Sequence, residues 1–166
     1  MATFTEEQSR LFLETVAESR YHELFTVALY TGMRRSELLG LPWKDVDVYL
    51  AQLSVTQTLH RLSGKGFIFG KPKTAKSHRT IALPPTVCIL LRQLKERQIA
   101  ERLLLGPKLQ DDDLVFSKPG GKPLDPSTIT HTFRKVLKRA GLPTLRFTTS
   151  AILMPALCSS RVSIQR

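Results

Sequence analysis

A chain of 166 residues, 42% hydrophobic and 23% charged, can bury one core and is short for two, which excludes a disordered or collagen-like polymer. Its net charge of +11 implies a polyanionic partner, because phosphates neutralised by Lys and Arg release their condensed counterions. The longest nearly uninterrupted apolar run, residues 24–30, is too short to span a membrane, and no basic segment followed by an apolar core opens the chain as a secretory signal would. Cys88 and Cys158 have the spacing of neither a disulfide framework nor a zinc site, so a reducing cytoplasm is the expected compartment and neither metal nor cofactor is expected.

Thr5 and Gln8 form a capping box, which predicts a helix over residues 6–19 with Leu11, Phe12, Thr15 and Val16 on its inner face. A second helix is predicted over 21–30, ended by Gly32 at the C′ position, and a short third one over 35–39, closed by Gly40 and Pro42. The pattern then changes to alternating β-formers. Segments 52–59 (QLSVTQTL), 66–70 and 78–83 predict a three-stranded antiparallel sheet, with Ser63-Gly64 as one turn and 73–77 as a loop. Pro84-Pro85 starts a long helix over 86–104, with Val87, Leu90, Leu91, Leu94 and Ile99 facing inward. Residues 114–117 read as a short extended piece, and Asp125-Pro126 opens a last helix ending near Ala140-Gly141. The fold class is α+β, mostly helical with a small three-stranded antiparallel sheet.

The charge is clustered. Residues 48–95 hold eight Lys or Arg and no acid, and residues 126–166 hold seven and again no acid. Two stretches inside this distribution carry chemistry: Thr31-Gly32-Met33-Arg34-Arg35-Ser36-Glu37-Leu38-Leu39-Gly40-Leu41 with Trp43, and Lys71-Pro72-Lys73-Thr74-Ala75-Lys76-Ser77-His78-Arg79-Thr80-Ile81. Together, from residue 4 to Phe147, the chain resembles the catalytic domain of the tyrosine recombinases, the phage-type integrases. The resemblance assigns the first catalytic arginine to Arg34 and the catalytic lysine to Lys73. It implies a reaction in which a tyrosine attacks the scissile phosphate, forms a 3′-phosphotyrosyl link and expels a 5′-hydroxyl, with no metal. A planar guanidinium matches two phosphate oxygens at once, and a flexible lysine can protonate the leaving oxygen. Lys71, Arg35, Lys76, His78 and Arg79 are the expected contacts to double-stranded DNA, Glu37 is expected to support the turn and its arginine, and Trp43 belongs in the core. The resemblance also implies association with other recombinase protomers on DNA, and no membrane.

After Phe147 the family pattern HxLRH is missing. Thr148 and Ala151 stand where the histidine and second arginine belong, and no tyrosine follows Tyr49. The residues Thr-Thr-Ser-Ala-Ile-Leu-Met-Pro from Thr148 can be encoded so that one restored base before Thr148 reads His-Asp-Leu-Arg-His-Thr-His-Ala. Continued to Arg166, the same shift permits a Leu-rich stretch and then Gln-Ser-Gly-Ile-His-Pro-Lys. Residues 1–147 are therefore expected to be part of a tyrosine-recombinase catalytic domain, and residues 148–166 an out-of-frame tail. The expected product is a DNA-binding fragment unable to cleave, truncated at both ends. The alternatives are a non-catalytic basic nucleic-acid-binding or regulatory module, and a pseudogene product without function.

Overall fold

Residues 4–72, 74 and 78–147 are described by the computed structural model. The tail 148–166 and the loop residues Lys73, Ala75, Lys76 and Ser77 lie outside the described residues, and so does Cys158. The element order is α1 (Glu6–Val16), α2 (His22–Thr31), α3 (Arg35–Leu39), β1 (Val46–Asp47), β2 (Gln52–Val55), β3 (Thr58–Leu62), β4 (Gly66–Gly70), β5 (Arg79–Ala82), α4 (Pro85–Leu105) and α5 (Pro126–Ala140). A single 3₁₀ turn at Trp43–Asp45 precedes β1. The chain divides into two units, one of residues 1–35 and 129–166, the other of residues 36–128. Among the described residues, no helix is long and apolar enough to cross a membrane.

In the first unit the helices form where capping and apolar spacing place them. The Thr5 hydroxyl accepts from the Gln8 N–H at 3.2 Å, and the Gln8 side chain accepts from the Thr5 N–H at 2.9 Å, closing the capping box of α1. The helix stops at Val16, three residues before the expected end, because the Ser19 side chain accepts from the Tyr21 N–H and turns the chain toward α2. Leu11 is 39% exposed and does not join the inner face; Phe12, Val16 and the small Ser9 occupy it. Aromatic rings build the core. Phe133 of α5 lies 5.8 Å from Phe12, 5.9 Å from Phe25 and 4.8 Å from Phe147, and Phe12 in turn lies 5.5 Å from Phe4. All five rings are buried, and tilted and edge-on pairs of this kind add to the stabilisation from burial.

The second unit corrects the expected sheet. Segment 52–59 is not one strand. It divides at Thr56 and Gln57, whose side chains leave the ladder: the Thr56 hydroxyl donates to Asp45, and the Gln57 amide donates to the Gly40 carbonyl at 2.7 Å. β2 pairs antiparallel with β1 and with β5, giving the three-stranded sheet β1-β2-β5. β3 and β4 form a separate two-stranded sheet of their own. Gly40, directly after α3, lies against the start of β3, and a Cβ there would stand 2.9 Å from the Leu59 nitrogen and from the Thr58 carbonyl carbon. The two-residue β1 is too short to show an alternating pattern in the sequence. It is joined to β2 by a turn in which the Asp47 carboxylate accepts from the Tyr49 and Leu50 N–H groups, with Ala51 at φ 52°.

The long helix α4 buries Val87, Cys88, Leu91, Leu94 and Gln98, while Ile99 is 42% exposed. The expected Ile99 position thus goes to a polar residue. The physical reason is Trp43: its indole N–H donates to Gln98 Oε1 at 2.8 Å, and Gln98 Nε2 donates to the Val115 carbonyl at 2.7 Å, so both buried polar side chains are satisfied. Burial pushes the Cys88 thiol up, which makes it an inert core residue. Residues 114–117 make isolated bridges to Pro42 and Pro123. α5 starts at Pro126 after Asp125, whose carboxylate accepts from the Ser127 N–H, and ends at Gly141 in the left-handed conformation.

Candidate functional site

The turn between α2 and α3 is built residue by residue by the motif that singled it out. The Thr31 hydroxyl donates to the Val27 carbonyl at 2.6 Å and accepts from the Met33 N–H at 3.3 Å. Gly32, at φ 67°, takes the left-handed C-cap and donates to the Ala28 carbonyl, a position that a side chain would strain. Met33 is buried, and Arg34 follows as an exposed residue. The apolar and hydroxyl residues thus make a hydrogen-bonded corner that leads into the exposed residue Arg34. Arg35, the next residue, is half-buried and donates to the Thr130 hydroxyl on α5.

Glu37 sits in α3, three positions beyond Arg34, and its carboxylate is buried at 1% exposure. It receives Arg79 of β5 in a two-pronged pair: Nη1 donates to Oε1 at 3.1 Å and Nη2 to Oε2 at 3.0 Å. Of the expected DNA contacts, Arg79 is therefore engaged inside the protein, with its side chain one-third exposed. In the sequence Arg79 falls in a basic run, and Glu37 is expected to support Arg34. The missed signal was the carboxylate itself: Glu37 lies in the apolar stretch ELLGLPW, and an acid there must meet a cation. In the segment before β5, Lys71 and His78 are exposed, while Lys73 and Lys76 fall outside the described residues.

A second ion pair had no sequence signal. Arg61 of β3 donates to Asp125 at 2.7 Å, and its guanidinium lies 5.9 Å from the Phe67 ring centroid. Burial alone would push the Asp125 carboxyl up, but the Arg61 hydrogen bond and charge and the Ser127 N–H hold it below its ordinary value of 3.8. This contribution to stability is present above about pH 4 and fades as pH falls through the depressed value.

The sequence profile of the phage integrase family matches residues 2–157. A XerC-like tyrosine recombinase of Caldanaerobacter subterraneus subsp. tengcongensis is 33% identical over 156 residues, covering 87% of this chain and 40% of that protein. An integrase of Streptomyces ambofaciens is 37% identical over 142 residues, covering 80% of this chain and 35% of its own. The chain thus spans less than half the length of these two relatives. The fold is similar to that of the Tn1549 transposon integrase, solved in complex with transposon right end DNA, with a TM-score of 0.73 over 99% of this chain and 54% of that one at 22% identity.

Proposed function

The chain belongs to the phage integrase family, and from that premise we propose that it is a DNA-binding fragment of a site-specific tyrosine recombinase that does not cleave DNA. The observation that supports this reading is the contrast on either side of Phe147. Before it, the turn at Thr31–Met33 is closed by hydrogen bonds, and Arg34 follows it as an exposed residue. After it, the sequence holds no histidine and no tyrosine, and Thr148 and Ala151 replace the residues that would carry the second phosphate clamp. A frameshift after Phe147 accounts for that loss, and residues 148–166 are then out of frame.

In this reading Arg34 holds the non-bridging oxygens of a DNA phosphate, where a guanidinium offers two parallel N–H donors. Lys73 stands as the proton donor to a leaving 5′-oxygen, and no tyrosine follows Tyr49 in this sequence to attack the phosphate. Lys71, His78, Lys76 and Arg35 add phosphate contacts, and Arg79 acts through Glu37 as well as through its own charge. Double-stranded DNA in the cytoplasm is the partner, together with other recombinase protomers bound to it.

Titrating the chain onto a nicked duplex tests both halves. Fluorescence anisotropy should show binding that weakens roughly tenfold or more between about 50 and 200 mM salt. No protein–DNA adduct should survive denaturation. Salt-insensitive binding would contradict the phosphate account, and a denaturation-resistant adduct would reveal a nucleophile.

A further inference from the structure

We propose that the β3–β4 hairpin is a DNA-contacting ribbon that enters the major groove, a role additional to the contacts assigned to Arg34 and to the segment 71–79. This inference rests on the reading that the chain binds duplex DNA. The two strands pair with each other over five residue pairs, from Thr58↔Gly70 to Leu62↔Gly66, in a sheet to which no third strand is added among the described residues. Alternation puts Leu59, Arg61, Phe67 and Phe69 on one face and His60, Leu62 and Ile68 on the other.

Apolar side chains are exposed on both faces. Phe69 is 50% exposed and Phe67 37% on the first, Leu62 47% and Ile68 37% on the second. Exposed apolar clusters mark binding surfaces, and which partner fits is decided by geometry and charge. A flat protein surface can cover one face of a ribbon, whereas a groove meets both. The major groove of B-DNA, about 12 Å wide, admits a two-stranded ribbon. The charge agrees: Lys65 at the tip and the adjoining Lys71 are exposed cations in a stretch from residue 48 to 95 without a single acid, while Arg61 is paired with Asp125. Two copies of such a hairpin repel each other, while the phosphate walls of a groove attract it.

The root of the hairpin is held as a groove-reading element needs to be. Leu59 is buried, the Thr58 hydroxyl donates to the Gly70 carbonyl, and Arg61 joins the ribbon to Asp125 ahead of α5. The tip at residues 63–65 is all exposed, with Lys65 on it.

The test uses a mixed-sequence duplex carrying 5-iodouracil, whose iodine lies in the major groove. Irradiation of the complex with the unmodified chain should cross-link the DNA to residues 66–70. The triple variant Leu62→Thr, Ile68→Thr, Phe69→Thr keeps β-forming residues at exposed positions and should bind the duplex roughly tenfold more weakly. Cross-links confined to other residues would overturn the proposal, as would a triple variant that folds and binds like the unmodified chain. Loss of self-association in the variant with unchanged DNA affinity would overturn it too, assigning the hairpin to a second copy. Failure of the unmodified chain to bind any duplex is a different result: it removes the DNA-binding reading itself, and this proposal with it.

Discussion

Phe133→Ala should cost about 4 kcal/mol of stability, the largest loss expected from any single side chain here. Phe133 is fully buried, and its ring meets Phe12, Phe25 and Phe147, so truncation removes contacts to three other aromatic rings at once. The loss has two parts, the transfer of the ring itself and the cavity left among side chains that can collapse only partly. For a chain of this length the thermal midpoint should fall by roughly 12 °C. Phe133→Leu should recover most of the loss, because it refills the space with an apolar side chain. Thermal unfolding followed by circular dichroism checks both variants; a drop of only a degree or two for Phe133→Ala would mean that the aromatic cluster does not hold this unit together.

Arg79→Met should destabilise by about 3 kcal/mol, although Arg79 reads in the sequence as one more surface cation. The cause is what it leaves behind. Glu37 has a carboxylate at 1% exposure, and losing the Arg79 guanidinium strips it of two charge-assisted hydrogen bonds. The double variant Arg79→Met, Glu37→Met should recover most of that loss, since a buried ion pair exchanged for apolar groups of similar size is often close to neutral. Urea denaturation separates the cases through the midpoint at constant slope. Equal losses in the single and the double variant would show that Arg79 matters for its own packing and not for the acid beneath it. Lys71→Ala, at an exposed position, is the control that should leave stability unchanged.

What was legible in the sequence was what is local. The capping box at Thr5, the glycine stop at Gly32 and the Asp125-Pro126 start are chemical signals of a few residues, and each of those helix ends stands where it was read. The two sheets were not legible, because Gln52-Leu53-Ser54-Val55-Thr56-Gln57-Thr58-Leu59 alternates without a break in composition. The division comes from Thr56 bonding Asp45 and Gln57 bonding Gly40, partners 11 and 17 residues away. Gln98 taking an inner place on α4 has the same origin, since its partners are Trp43 and Val115. In the candidate site the motif positions around Arg34 were readable because Thr31, Gly32 and Met33 each answer a local backbone or packing need. The pairing of Arg79 with Glu37 spans 42 residues, and a run of basic side chains gives no sign of which member turns inward.

The proposed loss of frame after Phe147 can be read in the encoding DNA from the codon of Arg146 onward. With one base restored before the codon of Thr148, the expected result is an open frame that begins His-Asp-Leu-Arg-His, continues past the position of Arg166 and reaches a tyrosine codon. A restored frame that meets a stop codon within the next few residues, or codons for Thr148–Pro155 that cannot yield the histidine and arginine in any shifted frame, would contradict it. Residues 148–166 would then be the tail this protein was selected to have.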